Sequence, residues 1–169
     1  MKDLYLVDGY NVIFWRPDLF DRSDLESGRK KLMDLLQDFG AHNHVEVIIV
    51  FDGQGKSNKA KVEELADSFT VVFTPSRMTA DSYIEKESYR RKEEYRHIFV
   101  VTSDGPEQVQ VLGNGAYRVA VDDLIRALQE DKAVQNTFIS HNNRKNLRSE
   151  IGRAIPLSVQ EKLDKLRGR

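Results

Sequence analysis

The chain has 169 residues, 40% of them hydrophobic, no cysteine and a net charge of −1. That is apolar material for one core, with no second domain of independent size; it excludes disulfides and thiolate metal sites and any global positive field that would gather nucleic acid. No stretch approaches the roughly 18 apolar residues of a membrane span, and the start MKDLYLVDGYN lacks the basic-then-apolar pattern of a secretory leader, so a soluble cytoplasmic protein is expected.

Taken in chain order, residues 2–8 and 45–52 (VEVIIVFD) are short β-branched apolar runs, read as strands buried on both faces. Between them, SDLESGRKKLMDLLQDFG opens with Ser23 and Glu26 in capping-box spacing, aligns Leu25, Leu32, Leu36 and Phe39 along one stripe and ends at Gly40. A strand, a helix and a parallel strand follow one another. Residues 53–67 read as a loop with a short helix in AKVEELAD. Residues 68–75 and 97–104 are two further buried strands around a predicted helix from Thr79 to about Tyr95. Pro106 suits the first position of a helix that stops near Gly113. A weaker strand, AYRVA, and the helix VDDLIRALQE complete an alternation that implies an open parallel sheet covered on both faces. The core then ends near residue 131. From 132 onward a basic helical extension is expected, with SHNNRKN as a polar linker and LSVQEKLDKLRGR as a last amphipathic helix; residues 141–169 carry a net charge of +5.

The acids fall in a pattern. Asp8, Asp52 and Asp104 each end a predicted strand, Asp81 opens the helix after the third, and Glu85 follows one turn later. In an open parallel sheet the carboxyl ends of the strands share one rim, where ligands bind. Each Asp-Gly pair alone is ordinary turn chemistry, and Asp81 alone is what a helix N-terminus favours. Together they are harder to dismiss: two carboxylates about 4 Å apart repel by roughly 4 kcal/mol at an effective dielectric of 20, so such a group raises its own pKa values or recruits a cation. Oxygen donors without sulfur suit Mg²⁺ or Mn²⁺, which activate water and accept phosphate oxygens. Asn11 offers a neutral amide to position a water or phosphate, and Thr102 and Ser103 flank Asp104.

LVDGYNVI, VIIVFDG, VVFTPSRMTADSYIEK and VVTSDGPEQ…LGNGAYRVA, in that order and spacing, resemble the NYN ribonucleases of the PIN-like superfamily, most closely their YacP-like branch. The match spans nearly the whole chain. The resemblance implies a PIN-like three-layer α/β/α sandwich with a mainly parallel sheet of about five strands, and a divalent-metal endoribonuclease. It implies Asp8, Asp81 and Asp104 as metal ligands, with Asn11 and Asp52 as supporting members; Glu85 joins them by its helical spacing. For the YacP-like branch it further implies a ribosome-associated enzyme that cuts messenger RNA. A nuclease delivered by a larger particle needs only local phosphate contacts, which fits the near-neutral charge; Arg77, Lys86, Arg90 and Arg118 are the RNA-contact candidates.

Other signals are set aside. GQGKS lacks the first glycine of a phosphate-binding loop, since Val50 stands there. His42 to His44 read as a structural turn. Tyr10, Phe14, Trp15 and Phe20 read as core closure more readily than as base-stacking rings. A non-catalytic RNA or ribosome adaptor is the alternative function. A phosphoacceptor receiver is disfavoured, because Gly9 follows Asp8 and no lysine lies in residues 120–123.

Overall fold

The computed structural model describes residues 1–53, 57–103 and 110–140. The elements run β1 (Asp3–Asp8), α1 (Gly9–Trp15), α2 (Leu25–Asn43), β2 (Glu46–Phe51), β3 (Lys61–Ala66), β4 (Phe69–Phe73), α3 (Ala80–Arg90), β5 (His97–Thr102), β6 (Gln110–Val111), β7 (Tyr117–Ala120) and α4 (Val121–Ser140). They form one sheet in the order β3-β4-β2-β1-β5-β7-β6. The five strands from β4 to β7 are parallel, and β3 and β6 close the two edges antiparallel. The expected five-stranded parallel sheet is therefore the centre of a seven-stranded one.

The central strands form because their residues are apolar on both sides. On β1, Tyr5 and Val7 join the cluster under α1, α2 and α4, while Leu4 and Leu6 join the cluster under α3. Tyr5 is wholly buried, edge-on to Phe39 at 5.4 Å between ring centroids, and burial pushes its hydroxyl pKa up. Helices on both faces make the three layers. At the amino ends of the strands, the fully buried Asp3 carboxylate accepts two bonds from Arg96 at 3.0 Å and stands 3.0 Å from His97 Nδ1, joining the starts of β1 and β5.

Several boundaries differ from the sequence reading, each for a local reason. Helix α2 is capped by Asp24, which accepts from the Ser27 N–H at 3.1 Å, because Ser23 is already held by Asp21. It also runs past Gly40 to Asn43 and ends with His44 in the left-handed region at φ 55°. Gly40 is there for packing: a Cβ would press on the Val45 carbonyl and on Val47. The segment expected to hold a short helix contains β3 instead, a Lys- and Glu-rich edge strand paired with β4; the open ladder edge overrides helix propensity. Such a charged edge resists pairing with other chains. Helix α3 ends at Arg90, short of Tyr95. The helix expected after Pro106 does not reach Gly113, since Gln110 and Val111 pair with β7; its start, and the linker and final helix expected beyond residue 140, lie outside the described residues. Helix α4 continues to Ser140, with no Gly or Pro to stop it. Among the described residues, no helix is long and apolar enough to cross a membrane.

Candidate active site at the carboxyl rim of the sheet

Asp8 is the last residue of β1 and the N-cap of α1, its carboxylate accepting from the Asn11 N–H at 3.3 Å. The chain therefore passes from strand to helix with no intervening turn. Gly9 allows a close approach: a Cβ there would overlap the edge of the Phe51 ring, which is fully buried and in contact with the rings of Tyr10 and Phe73. On the neighbouring strand Asp8 is level with Val50, two residues before Asp52. After Asp52, Gly53 donates its N–H to Thr74 Oγ1 at 3.0 Å, and a Cβ on Gly53 would collide with the Thr74 carbonyl. Both Asp-Gly pairs are thus close approaches between adjacent strand ends rather than the turn chemistry that each suggests alone.

Asn11 ties the third strand end in. Its side-chain carbonyl accepts the Ser103 N–H at 2.9 Å, fastening the first turn of α1 to the end of β5 across 92 positions of sequence. The amide expected to orient a water or phosphate thus spends its oxygen on the backbone just before Asp104. Thr102 is 5% exposed, and its Oγ1 has no hydrogen-bond partner among the described residues. By the alternation of β1 and β5, Asp8 and Thr102 continue the rows of Leu6 and Val100, on the α3 side of the sheet.

Asp81 is the second residue of α3 and exposed. Thr79 does the capping, accepting from the Ser82 N–H at 3.1 Å, so the cap does not require Asp81. Glu85 lies one turn on, in the wall of an open groove of about 610 Å³ formed with Ser82, Lys86, Tyr89, Gly113 and Asn114. The topology thus brings Asp8, Asp52 and the N-terminus of α3 to one rim, with Glu85 on its flank. Among the described residues no three His, Asp or Glu side chains form a metal-sized cluster; Asp104 lies outside them.

The expected RNA contacts divide. Arg77 is exposed in the loop before α3, in the left-handed region at φ 66°, and Lys86 borders the groove. Arg90 is committed to Glu87, bonded through Nη2 at 2.8 Å and Nε at 3.2 Å, and Arg91 bonds the same carboxylate at 2.7 Å. Burial pushes the Glu87 pKa up, but the two guanidiniums outweigh it and hold it below the usual carboxylate value. Arg118 sits on β7, half-buried, with its Nε buried and without a hydrogen-bond partner among the described residues. The rings set aside as core also divide: Phe20 is buried and Tyr10 packs on the core, but Phe14 and Trp15 are 44% and 51% exposed. The missed signal was Asp8 and Asn11 at N-cap spacing, which starts a short helix and turns its far end outward.

A family model described as the YacP-like NYN domain matches residues 5–168. Over 129 residues the chain is 33% identical to the Bacillus subtilis (strain 168) protein YacP, covering 75% of each. Two crystal structures of Rae1 (YacP) from Bacillus subtilis are similar in fold. One, of a tryptophan-to-leucine mutant, has a TM-score of 0.67 at 27% identity, covering 97% of this chain and 99% of that one; the other has a TM-score of 0.61 at 28% identity, covering 98% and 94%. With its fold and nearly its full length matched, the chain belongs to the YacP-like NYN domain family.

Proposed function

We propose that the protein is a divalent-metal-dependent endoribonuclease that hydrolyses messenger RNA in association with the ribosome, in the cytoplasm. The observation that carries the reading is the rim: Asp8 and Asp52 on adjacent strand ends, Asp81 at the start of the overlying helix, and the Asn11 clasp on the segment leading to Asp104. All donors are oxygens, the set that suits Mg²⁺ or Mn²⁺. Asp8, Asp81 and Asp104 would hold the ion, with Asp52 and Glu85 as supporting carboxylates; once bound, the ion supplies an activated water and offsets charge on the phosphodiester. Asn11 keeps the end of β5, as far as Ser103, against α1. Arg77 and Lys86 flank the entrance to the rim as phosphate contacts. With a net charge of −1, affinity for bulk RNA is low, and delivery by a large RNA–protein particle supplies the encounter.

The test is cleavage of ribosome-programmed and free messenger RNA by the purified chain with Mg²⁺ or Mn²⁺. Asp8→Asn and Asp104→Asn are expected to abolish cleavage with melting nearly unchanged. Equal cleavage by wild type and both variants rejects the site. Co-sedimentation with ribosomes but no metal-dependent cleavage selects the adaptor reading.

A further inference from the structure

Helix α1 begins at the rim and ends in an exposed aromatic face. Tyr10 and Phe14 stack with ring centroids 6.1 Å apart and planes 27° from parallel. Trp15, the sole tryptophan of the chain, follows with half its surface in solvent. Arg22 lies over the Phe14 ring at 5.4 Å, and Arg29 donates to the Tyr10 hydroxyl at 3.0 Å. Among the described residues, both guanidiniums are thus held by aromatic side chains rather than by carboxylates. The nearby acids are engaged elsewhere: Asp18 and Asp122 hold Arg16, Asp21 accepts from Ser23, and Asp24 caps α2. Glu26 occupies the first turn of α2, where the helix dipole favours it.

We propose that Phe14, Trp15 and Arg22 form a stacking platform for unpaired bases of a single-stranded RNA whose backbone runs along α1 to the carboxyl rim. The inference rests on the nuclease reading for its substrate and adds a second contact to it. Exposed rings interleaved with arginines are what single-strand binders use, since every base has a π-face and each phosphate wants a cation. A protein partner would find less to recognise in guanidiniums already laid against rings. The position fits too, because Tyr10 lies beside Asn11, so the aromatic row starts at the clasp that holds the rim together.

The experiment uses the full-length Asp8→Asn chain in EDTA, which separates binding from cleavage. The emission of Trp15 is titrated with a 12-nucleotide oligouridylate and with an RNA duplex of the same length, and binding by variants is followed by anisotropy of the labelled oligomer. Saturable quenching by the single strand, with the duplex at least tenfold weaker, is expected. Trp15→Ala and Phe14→Ala should each weaken binding about tenfold, Trp15→Phe should restore most of it, and Arg22→Ala should lower the salt slope by about one. Emission that stays constant while anisotropy reports binding overturns the platform, as do wild-type affinity in both alanine variants or equal response to duplex. A shift with protein concentration alone overturns it as well and assigns the face to a second copy. Quenching by RNA that wild-type chain with Mg²⁺ leaves uncut keeps the platform and sinks the nuclease; cleavage without quenching does the reverse.

Discussion

Gly9→Ala adds one methyl group at a close approach within the rim, where the new carbon would overlap the ring of Phe51. That ring cannot yield easily: it is fully buried, with Tyr10 at 5.0 Å and Phe73 at 5.6 Å between centroids. Overpacking of this kind costs about 1–3 kcal/mol, offset by about 0.4–1 kcal/mol from the stiffer unfolded chain. A net loss of about 1–2 kcal/mol remains, or a fall in Tm of roughly 2–8 °C for a chain of this size. Phe51→Leu alone leaves a void at a cost of roughly 1–3 kcal/mol. In the double variant the methyl occupies part of that void, so the two losses should fall short of their sum by about 1 kcal/mol. Urea unfolding followed by far-ultraviolet circular dichroism on the four proteins measures this. Additivity within about 0.5 kcal/mol would refute the steric account of Gly9.

Asn11→Ala releases the Ser103 N–H and should reduce RNA cleavage far more than stability, which falls by about 1 kcal/mol; equal loss of both would reduce the clasp to packing. Arg96→Ala leaves the buried Asp3 carboxylate with His97 but without its guanidinium and should lower stability by about 1.5–3 kcal/mol, read by urea unfolding, and an unchanged midpoint would show that Asp3 is not held as described. Because Glu87 is shifted down in the folded chain, its contribution is present above the ordinary carboxylate pKa and is lost as pH falls through the lower folded value. Glu87→Gln should therefore destabilise the protein at neutral pH by about 1–3 kcal/mol and show a shrinking difference from wild type in acid; a difference constant with pH would contradict the shift. Mn²⁺ at a hundred times its dissociation constant should stabilise the folded chain by about 2.7 kcal/mol, an increment that Asp8→Asn abolishes if the rim holds the ion.

The centre of the fold was legible because β-branched runs buried on both faces have few alternatives to a parallel strand. Strand β3 was not, since Lys61, Glu63 and Glu64 favour helix or coil until β4 offers them a ladder. Helix α1 was hidden for another reason. Seven residues are too few for a periodicity, and a glycine after an aspartate looks like a turn until Phe51 is seen to fill the space beside it. The acids at strand ends announced the rim, whereas the clasp between Asn11 and Ser103 depends on which strand becomes the neighbour of β1, and local sequence does not encode that. Arg90 and Glu87 sit at helical spacing, so their pairing was readable and was overlooked.

At 1.5 Å per residue, the seven residues of α1 span about 10 Å from Asp8 at the rim to the solvent-facing tryptophan. On the proposed reading, so short a helix is a rigid measuring rod: its pitch would set how far from the anchoring rings the strand is severed. One alanine inserted within it would swing those rings by about 100° around the axis, and the position of the cut, rather than its rate, is what should then wander.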